Sequence, residues 1–232
     1  MTQRMIEITS PVFIRETELS EGGLAGIFSD SRPVALEIGC GIGDFIVPLA
    51  RRHPERNFLA IDIYNKGCYR TCRKVEAAGL TNIRVMRMEA RFLLYRFVSA
   101  GMLVAIYVNC PDPWPKKRHR GRRLVNREFL QSALFCLRPG GDLFFSTDFR
   151  DYAEQVADAL EGQPGFRRCH HPSWTEPLPG YPLSKYMRRF LDLGQPIYFI
   201  HSQKQADIDS RYAQPPQPRV GFRLPQQAVG HD

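Results

Sequence analysis

Leu36-Glu37-Ile38-Gly39-Cys40-Gly41-Ile42-Gly43-Asp44 is an apolar run that stops in alternating glycines and leads into a segment of helical character. Glycines so placed let the backbone turn tightly and lie against a ligand. A strand that leaves through such a turn into a helix is the context in which the turn binds something. A dinucleotide fingerprint wants glycine at the sixth position counted from the first; here that position is Asp44. An acid there repels a phosphate at the helix N-terminus, and Glu37, just before the first glycine, adds a second negative charge.

On both sides of this turn, short Val-, Ile-, Phe- and Leu-rich runs alternate with longer amphipathic segments. Residues 34–38, 58–63, 83–88, 104–109, 142–147 and 197–202 read as strands, with helices near 44–53, 66–79, 90–97, 127–137 and 150–161. The strands are almost continuously apolar, as a sheet covered on both faces requires. Strand–helix alternation gives right-handed crossovers. The sequence therefore predicts an α/β fold, a doubly wound Rossmann-like sheet that is mostly parallel, with helices on both faces. Leu137-Arg138-Pro139-Gly140-Gly141 reads as a helix end and a turn before the next strand. The expected division is an N-terminal extension over 1–32, one domain over 33–205, and a polar, proline-rich, flexible tail over 206–232.

Composition narrows the class. With 232 residues, 43% of them hydrophobic, the chain can bury a full core. Its longest apolar runs, such as 102–108, are too short for a bilayer, and the N-terminus lacks a signal-peptide stretch. A cytoplasmic protein with no membrane partner is expected. The cysteines at 40, 68, 72, 110, 136 and 169 sit mostly in apolar runs, as small buried residues do. Cys68 with Cys72, and Cys169 with His170 and His171, raise the question of zinc. No second CxxC-type pair accompanies them, so no metal is expected. The net charge of +8 favours a polyanionic partner.

Two further acids extend the turn. Asp62 ends the second strand, about twenty residues on, where a carboxylate accepts from ribose hydroxyls. Glu89 follows the third strand. Strand-end acids are often only helix caps, but three in register favour a pocket. A crevice lined by Glu37, Asp62 and Glu89, with Gly39 and Gly41 at the turn, suits a cationic nucleoside. S-adenosylmethionine is such a molecule, with a sulfonium, an ammonium and no phosphate.

After the fourth strand comes Val108-Asn109-Cys110-Pro111-Asp112-Pro113-Trp114-Pro115, then Lys116-Lys117-Arg118-His119-Arg120-Gly121-Arg122-Arg123. The prolines fix a loop at the strand's carboxyl end, where substrate meets cofactor in this kind of sheet. Trp114 reads first as packing for that loop, and a base stacked on it is the alternative. The basic run, beside the presumed site on a basic protein, reads as a phosphate-binding segment.

Through Leu36-Glu37-Ile38-Gly39, Pro111-Asp112-Pro113-Trp114, the basic stretch to Arg123 and Ser146-Thr147-Asp148, the sequence resembles the tRNA (guanine-N7-)-methyltransferase family over roughly residues 33–200. The resemblance implies an S-adenosylmethionine-dependent enzyme forming 7-methylguanosine in tRNA at variable-loop guanine 46. It implies that Glu37, Asp62, Glu89 and Asp112 line the methyl-donor site and that Asp112 is catalytic. It further implies substrate contacts from Lys116, Asp148 and Ser184-Lys185-Tyr186-Met187.

The family motif there reads Thr-x-Tyr-Glu-x-Arg; this chain has Ser184 for the threonine and Met187 for the glutamate, while Asp62 and Glu89 exchange the more usual Glu and Asp. Guanine offers N1–H and an N2 amino group, and a carboxylate accepts both. Met187 therefore removes a reader of guanine, leaving Asp112 or Asp148 to take over. Two alternatives follow: a methyltransferase of this fold with another substrate, or an RNA-binding relative with lost or reduced catalysis. Guanine N7 carries a lone pair and no proton, so in-line attack needs no general base. Catalysis then rests on orientation and on a carboxylate facing the purine as it becomes cationic.

Overall fold

The computed structural model describes residues 5–19, 23–24, 26–169, 178–206 and 217. His170, His171 and nearly all of the expected tail lie outside the described residues. The chain divides into two compact units, the first ending at Val98 and the second beginning at Ser99.

In the first unit, β1 (Phe13–Ile14), β2 (Val34–Ile38), β3 (Asn57–Asp62) and β4 (Ile83–Arg87) form a sheet in the order β1-β4-β3-β2. Every pairing within it is parallel. Between the strands run α1 (Ile46–Arg52) and α2 (Asn65–Ala77), with α3 (Ala90–Arg96) after β4. The apolar runs are strands because both faces are covered: Ala35, Leu36, Phe58, Leu59, Ala60, Ile83 and Val85 are fully buried. Gly79, at φ 64, ends α2 in the left-handed conformation that suits a helix terminus.

In the second unit, β5 (Leu103–Asn109), β6 (Leu137–Thr147), β7 (Phe166–Arg168) and β8 (Tyr198–Lys204) lie in the order β5-β6-β8-β7. β5 and β6 are parallel, while β8 is antiparallel to both neighbours. The helices are α4 (Arg127–Cys136), α5 (Arg150–Glu161) and α6 (Lys185–Asp192). Asn126 caps α4 by accepting the Phe129 N–H at 3.0 Å. The α/β class expected from the sequence is the class found.

One local reading differs. Leu137–Gly141 was expected to be a turn, yet β6 already begins at Leu137. Leu103 pairs with Leu137 and Ala105 with Asp142, so a bulge on β6 absorbs Pro139, Gly140 and Gly141 without ending the strand.

Candidate active site

The first unit gathers Glu37, Gly39, Gly41 and Asp62 around one chain reversal. Gly39, Gly41 and Gly43 have φ values of 79, 55 and 79°, a conformation L-residues rarely hold. The N–H groups of Gly39 and Cys40 both donate to the Ile61 carbonyl, at 2.8 and 3.0 Å, which fastens the turn to β3. Asp62 accepts from the Gly41 N–H and the Tyr64 N–H, each at 2.8 Å, tying the turn to the start of α2. A carboxylate has about four lone-pair sites, so this bonding still allows Asp62 to accept from ribose hydroxyls.

Space stands open at Gly39 and Gly41, where a Cβ would meet no atom within 4 Å. Behind the turn the fit is tight: a Cβ on Gly67 would lie 2.5 Å from the Gly41 carbonyl oxygen. Glu37, at the end of β2, is 1% exposed. Open space beside bare backbone, with Glu37 and Asp62 adjoining, fits a cationic nucleoside such as S-adenosylmethionine.

Two acids behave differently from the sequence reading. Asp44 is ion-paired with Lys74, so its charge is compensated, and Glu37 and Asp62 are the acids beside the turn left to disfavour a phosphate. Glu89 is the N-cap of α3, accepting the Phe92 N–H at 2.9 Å, with Arg91 4.0 Å from its other oxygen. Burial pushes the Glu89 carboxyl above its ordinary range, against that hydrogen bond and the Arg91 charge. Its capping role is established in the geometry, and any ligand contact is additional to it.

The second unit gathers the other group. Asn109 ends β5, Cys110 and Trp114 have φ values of 45 and 42°, and Asp112 is exposed between them. Positive φ on non-glycine residues is strained and must be held by surrounding structure. The Cys110 N–H donates to the Ser146 carbonyl at 2.8 Å. The Cys110 side chain packs against a cluster of Met187, Ile197 and Phe199. Burial pushes the Cys110 thiol up to about 12, which leaves it a packing group and not a nucleophile. Asp148 follows the end of β6, half-buried, and burial raises its carboxyl.

The basic run is only partly what its composition suggested. Lys117–Arg122 form a short 3-10 helix, with Lys116 exposed just before it. Arg122 stacks over Trp114 at 4.9 Å, and His119 meets the indole edge-on at 5.7 Å. Trp114 is therefore packed into its own loop.

Arg123, expected to bind phosphate with the rest of the run, is instead 0% exposed. It donates to the Pro113 carbonyl at 2.8 Å, to Gln155 at 2.6 Å and to Asp151 at 2.6 Å. A guanidinium has donors in a fixed fork, and these three acceptors engage it from the loop and from α5 at once. Arg120 pairs with the same Asp151, whose carboxyl the two arginines hold below the usual range. Lys116, Lys117 and Arg118 are the exposed cations nearest Asp112 in sequence.

The segment 184–187 opens α6. Ser184 is the N-cap, accepting the Met187 N–H at 3.3 Å, and the Ser184 N–H points at the Met187 sulfur at 3.4 Å. This is the geometry of a capping box, in which a Glu at that third position would accept the same N–H. Met187 is 0% exposed, and its thioether packs in an apolar cluster with Ile197 and Phe199. Lys185 and Tyr186 are exposed, Tyr186 stacking on Phe190 at 6.4 Å. Sequence reasoning passed over Asn109 and Tyr181, which link these segments; a polar residue closing an apolar strand was the available signal for Asn109.

Comparison with known proteins bears on this arrangement. A family model described as "Putative methyltransferase" matches residues 31–200. A tRNA (guanine-N(7)-)-methyltransferase of Syntrophotalea carbinolica is 54% identical over 224 residues, covering 96% of this chain and 97% of that protein. One of the same description from Geobacter metallireducens is 50% identical, covering 88% and 98%. Among solved structures, the 16S rRNA methyltransferase KamB aligns with a TM-score of 0.54 at 18% identity, over 77% of this chain and 89% of that one. TrmN from Thermus thermophilus aligns at 0.53 and 22% identity, over 75% and 44%. These two structures agree on the Rossmann-like fold.

Proposed function

The chain belongs to the tRNA (guanine-N(7)-)-methyltransferase family, and on that premise we propose that it methylates N7 of the variable-loop guanine of tRNA, position 46, in the cytoplasm. As a member it is an S-adenosylmethionine-dependent enzyme. The domain carrying this activity spans residues 33–205. The observation that carries the site assignment is the loop after β5, which presents an exposed carboxylate, Asp112, from a backbone pinned by a buried arginine.

The bound methyl donor supplies an electrophilic methyl group on a sulfonium. Glu37 and Asp62 hold the donor's positive and ribose groups against the bare backbone of Gly39 and Gly41, and Glu89 lies at the end of the neighbouring strand. Asp112 is the carboxylate that would face the purine as its ring gains positive charge. A carboxylate there stabilises the transition state more than the ground state. Asp148 and the exposed Lys185 and Tyr186, with the Ser184 cap, orient the base; Lys116, Lys117 and Arg118 take tRNA phosphates. Because Met187 is buried as packing, its departure from the family motif gives no reason to expect lost catalysis.

Nucleoside mass spectrometry tests this directly. Unmodified tRNA incubated with the protein and S-adenosylmethionine should yield 7-methylguanosine, and a transcript with adenine at the variable-loop position should not. A tRNA that emerges without the modification overturns the reading.

A further inference from the structure

Asn109 is 8% exposed at the end of β5, three residues before Asp112. Its Oδ1 accepts the Ser146 hydroxyl at 3.0 Å and the Tyr181 hydroxyl at 2.7 Å. Ser146 lies two residues before Asp148, and Tyr181 three before Ser184. One carboxamide thus joins the three stretches of the second unit assigned to catalysis and base binding. The Tyr181 ring is itself wedged, 5.9 Å from Phe144 and edge-on to Phe199 at 5.7 Å, so its hydroxyl has little freedom to seek another partner.

Stability alone does not account for this residue. Its Nδ2 is buried with no hydrogen-bond partner among the described residues. A half-satisfied buried amide is a poorer core group than an apolar side chain of similar shape. What the amide supplies is geometry: two hydroxyls on separate elements converge on one atom, directly beside the strained Cys110 backbone. Turning the carboxamide over preserves the tie, since Nδ2 can donate to both hydroxyl oxygens.

We propose that Asn109 is a positioning residue for methyl transfer, coupling the Asp112 loop to the Asp148 strand end and, through Tyr181, to the start of α6. This rests on the proposed function, and it acts through orientation, to which transfer rates are steeply sensitive.

Single-turnover methylation of tRNA by the full chain tests it, with donor and tRNA affinities measured alongside. Asn109→Leu should slow the chemical step by about tenfold to a hundredfold, with both dissociation constants within about twofold. Tyr181→Phe, which keeps the ring and drops the hydroxyl, should slow it in the same way. The double variant should be no slower than Asn109→Leu alone, because the bond that Tyr181→Phe removes is already lost with the Asn109 carboxamide. Asn109→Asp, whose carboxylate accepts both hydroxyls, should recover most of the rate. Tyr181→Phe at full rate, or additive losses in the double variant, overturns the proposal even if Asn109→Leu does not fold. An unmutated protein that leaves tRNA unmethylated overturns the parent reading and this inference with it.

Discussion

The turn at Gly39–Gly43 and the loop at Cys110–Trp114 both reverse the chain at the carboxyl end of a buried strand, by opposite means. The first uses glycines, for which positive φ is relaxed, and is fastened through its own N–H groups, which donate to the Ile61 carbonyl and the Asp62 carboxylate. The second places Cys110 and Trp114 at positive φ and holds them from outside, through Ser146, Arg123 and the packing of Arg122 on the indole. A turn without side chains leaves room for a ligand against the backbone. A strained loop fixes one side chain, Asp112, at the expense of dependence on distant residues.

That contrast can be broken most sharply at Asp112. Asp112→Ala should reduce methyl transfer by about 10²–10³-fold with little change in melting temperature, since the side chain is exposed; near-full turnover would refute its catalytic role. Arg123→Met keeps much of the volume but releases Pro113, Gln155 and Asp151. It should lower stability by about 2 kcal/mol in a denaturant titration and slow turnover, while donor affinity in calorimetry stays as it was. The opposite pattern is expected from Gly41→Ala. A strain of about 1–2 kcal/mol accompanies a methyl group in the open space, so donor affinity falls while tRNA affinity is kept.

Smaller effects sharpen the same contrast. Met187→Glu gains a bond to the Ser184 N–H but puts a carboxylate among Ile197 and Phe199. A net loss of about 1 kcal/mol is expected, with no change in guanine-over-adenine selectivity; a rise in selectivity would mean that the position reads the base after all. Asp148 is subtler. Burial raises its carboxyl above the unfolded value, so the folded state binds that proton more tightly. Its contribution favours folding at low pH and is lost as pH rises through the folded value. Asp148→Asn should therefore stabilise the protein at neutral pH, by about 0.5 kcal/mol at most, with the gain shrinking as pH falls. Thermal melts across that range check the sign, and base-dependent activity should drop in the same variant.

The two units also differ in how much of their structure is legible in the sequence. Strands β2 to β5 follow from continuous apolar runs, and α1 to α5 from amphipathic spacing, because burial on both faces leaves that mark in composition. β7 and the short β1 carry too few residues to do so. α6 spans only eight residues, too few for its apolar positions 186, 187, 190 and 191 to mark a helix by spacing alone. β6 was read as starting late because Pro-Gly-Gly normally ends an element, whereas here a bulge carries it.

At the site, the glycines and strand-end acids were legible because their chemistry is local. Arg123 was not: within a run of eight residues only the fold determines which cation turns inward. The same holds for Met187, whose letter marks a missing carboxylate while its packing marks a core position.

The direction of β8 has a practical corollary. Tyr198 begins that strand beside Thr147, and Lys204 finishes it beside the Asp142 end of β6. Running backwards lets α6 arrive at the rim where Asp148 sits, then carries the chain to the opposite rim of the same sheet. A fluorophore on the exposed Gln205 side chain would sit at that opposite rim, so labelled protein should turn over at the unlabelled rate.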